Sequence, residues 1–288
     1  MENILELQNL SKSYAQSDFA LDQISFSLPY GSILGFVGEN GAGKTTTIGC
    51  ILNTLRKDSG TVKLFGKEMG DGDTDIREKI GVVYDGDNFP GYWTAGQLSK
   101  VMAGLFKNWD QPLFQKYLED FQLLPKQKIK CYSKGMTMKL AIAAALSHHP
   151  ELLILDEATS GLDPVMRDDM LDVFLEFVQE ENHSILLSSH ITSDLEKVAD
   201  YITFIHKGRL ILTAPKDDLV YRYAVMRCRE SQFQAVERED VLAYRKRDMQ
   251  IDVLVADGRE AQRKYKDVVV DHTSVDEIML LLAKGERV

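Results

Sequence analysis

The sequence predicts an α/β protein with a parallel sheet at its centre and a small α+β unit at its C-terminal end. Three observations carry this expectation. Residues 152–155 and 184–187 are unbroken apolar runs, as in strands buried on both faces, and a helical pattern over 164–181 separates them at strand–helix–strand spacing. A glycine-rich turn ends an earlier apolar run at Val37 and opens a helix near Gly43. With 288 residues, 44% of them hydrophobic, the chain is long enough for one large core and a small appendage.

Taken in order, residues 4–7, 20–28 and 32–37 alternate or run apolar and read as strands, with 29–31 as a turn. Residues 61–65 and 80–84 read as further strands, split by the Gly/Asp-rich stretch 70–75. The period then changes. Residues 94–106, 112–121 and 134–147 show helical spacing, with Pro112 suited to a first turn, which predicts a helical insert at about 88–148. A helix over 192–199 and a hairpin over 201–212, turning at Lys207 and Gly208, close a main domain spanning 1–214. A composition shift near 213–215 marks its end. In 215–288 the runs 223–228, 250–255 and 267–271 look like strands and 259–265 and 274–284 like helices.

Composition excludes several classes of function. The formal net charge of -10 disfavours non-specific binding to nucleic acid or to an anionic lipid surface, so no nucleic-acid partner is expected and membrane attachment should run through a protein. From Pro215 onward 14 Lys+Arg face 15 Asp+Glu, so the negative excess lies before it. Apolar runs such as 140–146 fall far short of the ~18 residues of a membrane span. Residues 1–10 carry Glu2 and Glu6 without a basic or apolar leader pattern, so a cytoplasmic protein is expected. Cys50, Cys131 and Cys228 fit neither a disulfide framework nor a CxxC metal pattern and read as free thiols.

Gly38-Glu39-Asn40-Gly41-Ala42-Gly43-Lys44-Thr45 fits G-x-x-x-x-G-K-[ST], after a predicted strand and before a helix. Glycines let successive N–H groups point inward as an anion nest, and the helix N-terminus adds positive dipole. Lys44 is placed to reach β- and γ-phosphates and Thr45 to ligate Mg²⁺; Thr46 is counted with the same cradle. The plain alternative is an ordinary glycine turn.

Residues 152–155 lead into Asp156 and Glu157, and ligand sites in open α/β sheets lie at the carboxyl ends of strands. Asp156 can hold Mg²⁺ directly or through water, while Glu157 can polarise an attacking water as general base. The alternative is a polar strand end. The second apolar strand ends in Ser188-Ser189-His190, where an imidazole could bond the γ-phosphate and keep water and Glu157 in line.

Between these motifs lies Tyr132-Ser133-Lys134-Gly135-Met136, directly before a helix. With the glycine-rich loop, Leu155-Asp156-Glu157, Ser160-Gly161-Leu162-Asp163 and Ser189-His190, in that order, the chain resembles the ABC transporter ATP-binding family over about 1–214. The resemblance implies a P-loop NTPase core with an antiparallel β subdomain and a helical insert, the ABC ATPase fold, ahead of the α+β appendage. It implies ATP and Mg²⁺ as ligands, a second ATPase subunit in a homo- or heterodimer, and separate transmembrane permease subunits that hold the protein on the inner face of the membrane. It also implies that Ser133, Lys134, Gly135 and Met136 cap the γ-phosphate of ATP bound to the opposite subunit of a head-to-tail dimer, and that Tyr14 stacks on adenine. Asp163 matches the loop linking the two sites, and it also precedes Pro164 as a good helix N-cap. The alternative for Tyr14 is an exposed turn tyrosine.

Two motifs depart from the family pattern. Lys134 stands for the first signature glycine and Met136 for the glutamine, and Lys134 either adds charge near phosphate or is simply solvated. Asp85 stands where the family carries a Mg²⁺-contacting glutamine, unless a shifted loop makes Asp87 the equivalent. A carboxylate there would bind Mg²⁺ more strongly and add negative charge beside ATP. These variants look like those of ABC-2-type exporters of Gram-positive bacteria, including peptide-antibiotic efflux systems. The alternatives are a soluble ABC ATPase of an assembly or scaffold complex and an ATP-binding regulatory pseudoenzyme, the latter opposed by the retained Lys44, Glu157 and His190.

Overall fold

The computed structural model describes residues 2–70, 72–86 and 88–287. The chain opens with β1 (Asn3–Tyr14) and β2 (Ser17–Pro29), an antiparallel hairpin with several register shifts. Both strands run longer than the apolar pattern predicts, because positive-φ residues Asn9 and Gln23 accommodate bulges and ladder bonds carry the polar ends. β3 (Ile33–Val37), buried at every position, leads into α1 (Lys44–Ile51). β4 (Ser59–Leu64) and the short β5 (Lys67–Glu68) join the first sheet in the order β2-β1-β4-β5. A short α2 (Thr74–Glu78), which the pattern did not reveal, precedes β6 (Ile80–Val83).

The helical insert holds α3 (Ala95–Leu105), α4 (Gln111–Asp120) and α5 (Lys134–Leu146). Thr94 caps α3 through a capping box with Gln97, and Asp110 caps α4 ahead of Pro112. Next come β7 (Leu152–Asp156), α6 (Pro164–Phe177), β8 (Ser184–Ser189), α7 (Thr192–Val198), β9 (Tyr201–His206) and β10 (Arg209–Pro215). The central sheet runs β10-β9-β3-β8-β7-β6; its β9, β3, β8, β7 and β6 pair in parallel and only β10 is antiparallel.

The C-terminal part contains α8 (Lys216–Tyr221), β11 (Ala224–Cys228), α9 (Glu230–Phe233), β12 (Ala243–Arg247), β13 (Gln250–Val255), α10 (Gly258–Lys264), β14 (Val269–His272) and α11 (Val275–Lys284). Its antiparallel sheet has the order β12-β13-β11-β14. β12 escapes the apolar pattern because its sequence, Ala-Tyr-Arg-Lys-Arg, is charged; as an edge strand it needs only one partner and leaves Lys246 and Arg247 exposed. One face of this sheet buries Met226, Cys228, Ile251 and Val253 under its own helices. The other face does not end at residue 215, where the composition shifts. Val225, Leu254, Val275, Ile278 and Leu281 belong to one continuous core with Val198, Ile202 and Phe204.

Candidate active site

The parallel register brings three strand ends to one edge: Val37 lies opposite Ser189, and Asp156 opposite Ser188. The loop after β3 crosses this edge. Gly38 passes so close to β9 that a Cβ would lie 2.5 Å from the Ile205 carbonyl oxygen, which restricts the position to glycine. Gly43, the N-cap of α1, has φ +116 and makes no side-chain cap bond, so the first N–H groups of α1 are left without a side-chain acceptor. That arrangement suits an anion.

Lys44 is buried and donates to the carbonyls of Gly38 at 2.6 Å and Glu39 at 3.3 Å. Its Nζ lies 3.0 Å from Oε1 of Glu157, an ion pair whose angle falls short of hydrogen-bond geometry. Thr45 Oγ1 donates to Oδ2 of Asp156 at 2.8 Å, and Ser188 Oγ donates to the other carboxylate oxygen at 2.8 Å. Asp156 is therefore satisfied on both oxygens, although only 4% exposed. Glu157 follows with φ +56, a strained left-handed conformation for a non-glycine residue, and its N–H donates to the Ser188 carbonyl at 3.0 Å. Its second carboxylate oxygen accepts from Nδ1 of His190 at 2.6 Å, which assigns the ring proton to that nitrogen.

A cavity of about 980 Å³ opens over these groups, lined by Tyr14, Asn40, Gly41, Gly43, Lys44, Thr45, Thr46, Asp85, Asp156 and Glu157 among others. Ala42 is buried, and Glu39 points toward His206, with Nδ1 4.0 Å from Oε2. Gly38, Glu39, Asn40 and His190 line a smaller cavity of about 340 Å³ against α11. Tyr14 is exposed at the end of β1, with Nζ of Lys12 5.5 Å from its ring centre. Its aromatic face is thus in the cavity wall rather than in the core.

The Ser133–Met136 loop stands elsewhere. Ser133 caps α5 by accepting from the Met136 N–H at 3.2 Å, Gly135 packs against Met166 of α6, and Met136 packs on the insert's core. Lys134 forms an ion pair with Asp85, 2.9 Å from Nζ to Oδ1. Asp163 caps α6 by accepting from the N–H groups of Val165 and Met166. Asp87 lies outside the described residues.

Sequence reasoning missed four contributors. Gln16 of the turn after Tyr14 and Phe19 of β2 join the cavity wall, where no motif marks them. Tyr84 also lines it, and burial, with Asp156 adding to it, pushes its hydroxyl pKa up. The Ser188 hydroxyl orients Asp156, a role that only strand register reveals.

Chemically, the site offers a buried ammonium among inward-facing backbone groups, a carboxylate with a hydroxyl beside it, and a second carboxylate joined to an imidazole. Among the described residues, no cluster of three or more His, Cys, Asp or Glu side chains could hold a metal ion on its own. A hard oxygen pair such as Thr45 and Asp156 fits Mg²⁺ when substrate phosphates supply further ligands, since that ion takes few protein groups.

Comparison with known proteins agrees with this geometry. The ABC transporter family model matches residues 21–160. The chain is 35% identical over 224 residues to the bacitracin transport ATP-binding protein BcrA of Bacillus licheniformis, covering 77% of this chain and 73% of that protein. It is 34% identical over 217 residues to the lantibiotic transport ATP-binding protein SrtF of Streptococcus pyogenes, covering 74% of this chain and 92% of the other. A solved ATP-binding subunit of an ABC transporter superposes with a TM-score of 0.68 at 26% identity, over 75% of this chain and 91% of that one. Relatives named for transport do not favour the assembly-complex alternative. Among the described residues no helix is long and apolar enough to cross a membrane. The chain belongs to the ABC transporter family, as an ATP-binding and ATP-hydrolysing transporter subunit.

Proposed function

We propose that this ATPase works as a head-to-tail dimer and drives the export of a peptide antibiotic through separate permease subunits at the inner face of the membrane. The observation that carries the dimer is the position of Ser133–Met136. None of these four residues lines the nucleotide cavity of its own chain, yet they open a helix whose first N–H groups suit an anion. A second subunit presenting the same loop would complete the phosphate site. The export reading rests on relatives named for bacitracin and lantibiotic transport.

Lys44 and the N–H groups of the Gly38–Gly43 loop bind the β- and γ-phosphates of ATP, and Tyr14 offers its ring to adenine. Thr45 and Asp156 would hold Mg²⁺, with Asp85 as a further carboxylate near them; that ion supplies charge neutralisation to the phosphate oxygens. Glu157 accepts the proton of the attacking water, and His190 holds the Glu157 carboxylate in line through its Nδ1–H. Asp163 organises the loop between the two sites by capping α6.

The test is efflux from bacitracin-sensitive cells that express the chain together with a candidate permease subunit. Wild type should lower intracellular bacitracin, and Lys44→Ala and Glu157→Gln should not. Equal accumulation with the wild type and both variants would sink the export reading.

A further inference from the structure

The two departures from the family pattern meet in space. Asp85 follows β6 at the carboxyl end of the central sheet, and Lys134 is the first helical residue of α5 on the insert. Nζ of Lys134 lies 2.9 Å from Oδ1 of Asp85, with the side chains 49% and 45% exposed. The lysine reaches across Gly161, where a Cβ would meet Nζ at 3.1 Å and Cδ at 3.4 Å; Gly161 also has φ +72. Asp85 lines the nucleotide cavity and, with Lys134, a second cavity of about 620 Å³ where the core meets the insert. The ion pair stands at the junction of the two.

Each charge alone is badly placed. A carboxylate in the wall of a polyphosphate site repels its ligand, and a lysine in the first turn of a helix opposes the helix dipole. Together they neutralise one another. We propose that Lys134 is a positioning residue that acts through Asp85 of its own chain, compensating the carboxylate and holding it against the cavity wall so that ATP binds beside it. The proposal rests on ATP binding and hydrolysis, and it is independent of the export reading.

The test compares Lys134→Gln, Lys134→Arg, Asp85→Gln and the double variant Asp85→Gln/Lys134→Gln. ATP affinity is measured with a fluorescent ATP analogue, with Mg²⁺ and with EDTA, at low and high salt, alongside KM and kcat. Lys134→Gln should weaken ATP binding about three- to tenfold at low salt, raising KM more than it lowers kcat, and the loss should shrink as salt screens the exposed charge. Lys134→Arg should return to within about twofold of wild type, and so should the double variant in EDTA, where no Mg²⁺ contact of Asp85 takes part. A double variant as weak as Lys134→Gln would mean that Lys134 acts on phosphate directly, and the proposal fails. Unchanged affinity in Lys134→Gln also overturns it. Should Lys134→Gln fold poorly, Asp85→Gln alone decides: the proposal requires affinity in EDTA at or above the wild-type level, and a fall there refutes it.

Discussion

Nδ1 of His190 lies 2.6 Å from Oε2 of Glu157, so the last residue of one strand-end motif grips the last residue of another. The remaining Glu157 oxygen faces Lys44 at 3.0 Å. The carboxylate is thereby held between a phosphate-binding cation and an imidazole, on a backbone with φ +56.

That placement predicts the behaviour of Glu157→Gln. The amide preserves shape but accepts no proton, so turnover should fall by a factor of about 10² or more while Mg-ATP still binds. The variant should accumulate as a dimer with Mg-ATP in size-exclusion chromatography. Wild-type turnover in this variant would remove Glu157 from the chemistry. His190→Ala, which frees the carboxylate from its partner, should lower kcat more than it raises KM.

Removing the C-terminal unit should damage the main domain. A chain ending near Ala214 keeps every nucleotide motif but loses part of a shared core, because Val225, Leu254, Val275, Ile278 and Leu281 cover Val198, Ile202 and Phe204. The Val275 N–H also donates to Glu196 of α7 at 2.9 Å, and α7 directly follows the His190 loop. Truncation after Pro215 should therefore lower the melting temperature and expose apolar surface that binds a hydrophobic dye. A truncated chain that melts with the full-length protein would show that the shared core contributes little.

Arg227 is the electrostatic centre of the appendage. It contacts Asp252 at 2.9 Å, Asp271 at 3.1 Å and Glu277 at 2.9 Å, and so ties β11 to β13, β14 and α11. Asp252 is 2% exposed. Arg227→Ala leaves that buried carboxylate with the weaker contact to Arg247 and with Gln250, and should cost about 2–4 kcal/mol in urea denaturation. Replacing both Arg227 and Asp252 by leucine should recover much of the loss, since the buried carboxylate goes with its partner, and Asp271, Glu277 and Arg247, which also lose a contact, are partly exposed to water. A double variant no more stable than Arg227→Ala would contradict this account.

Acid stability should depend on Asp58. Its carboxyl is held down to about 2, first by the Ser13 hydroxyl, then by the Ser13 N–H and by Lys12. A folded-state value below the unfolded one means that the stabilisation is present above the ordinary aspartate value of 3.8 and is lost as pH falls toward 2. Asp58→Asn should lower the melting temperature at neutral pH and flatten its fall between those two values. Because Ser13 precedes Tyr14, the same variant should weaken ATP binding slightly at neutral pH. Parallel melting curves for wild type and variant across the acid range would dismiss the contact.

The sequence by itself determined the parts of this protein whose chemistry is local. Lys44 and Thr45 follow a loop whose glycines are needed at fixed spacing, Asp156, Glu157 and His190 end apolar runs, and Pro112 and Asp163 announce helix starts, one by a ring that fits a first turn and the other by a capping side chain. Such signals need only neighbours in the chain. The tertiary structure decided the rest, because it depends on which distant groups meet. Strand register alone puts the Ser188 hydroxyl on Asp156, and the fold alone sets Lys134 of the insert against Asp85 of the core. The charged edge strand β12 is held by backbone ladder bonds, and these leave no trace in an apolar pattern. The core shared by residues on either side of position 215 was equally hidden, since an amphipathic α11 shows that one face is buried but not what buries it.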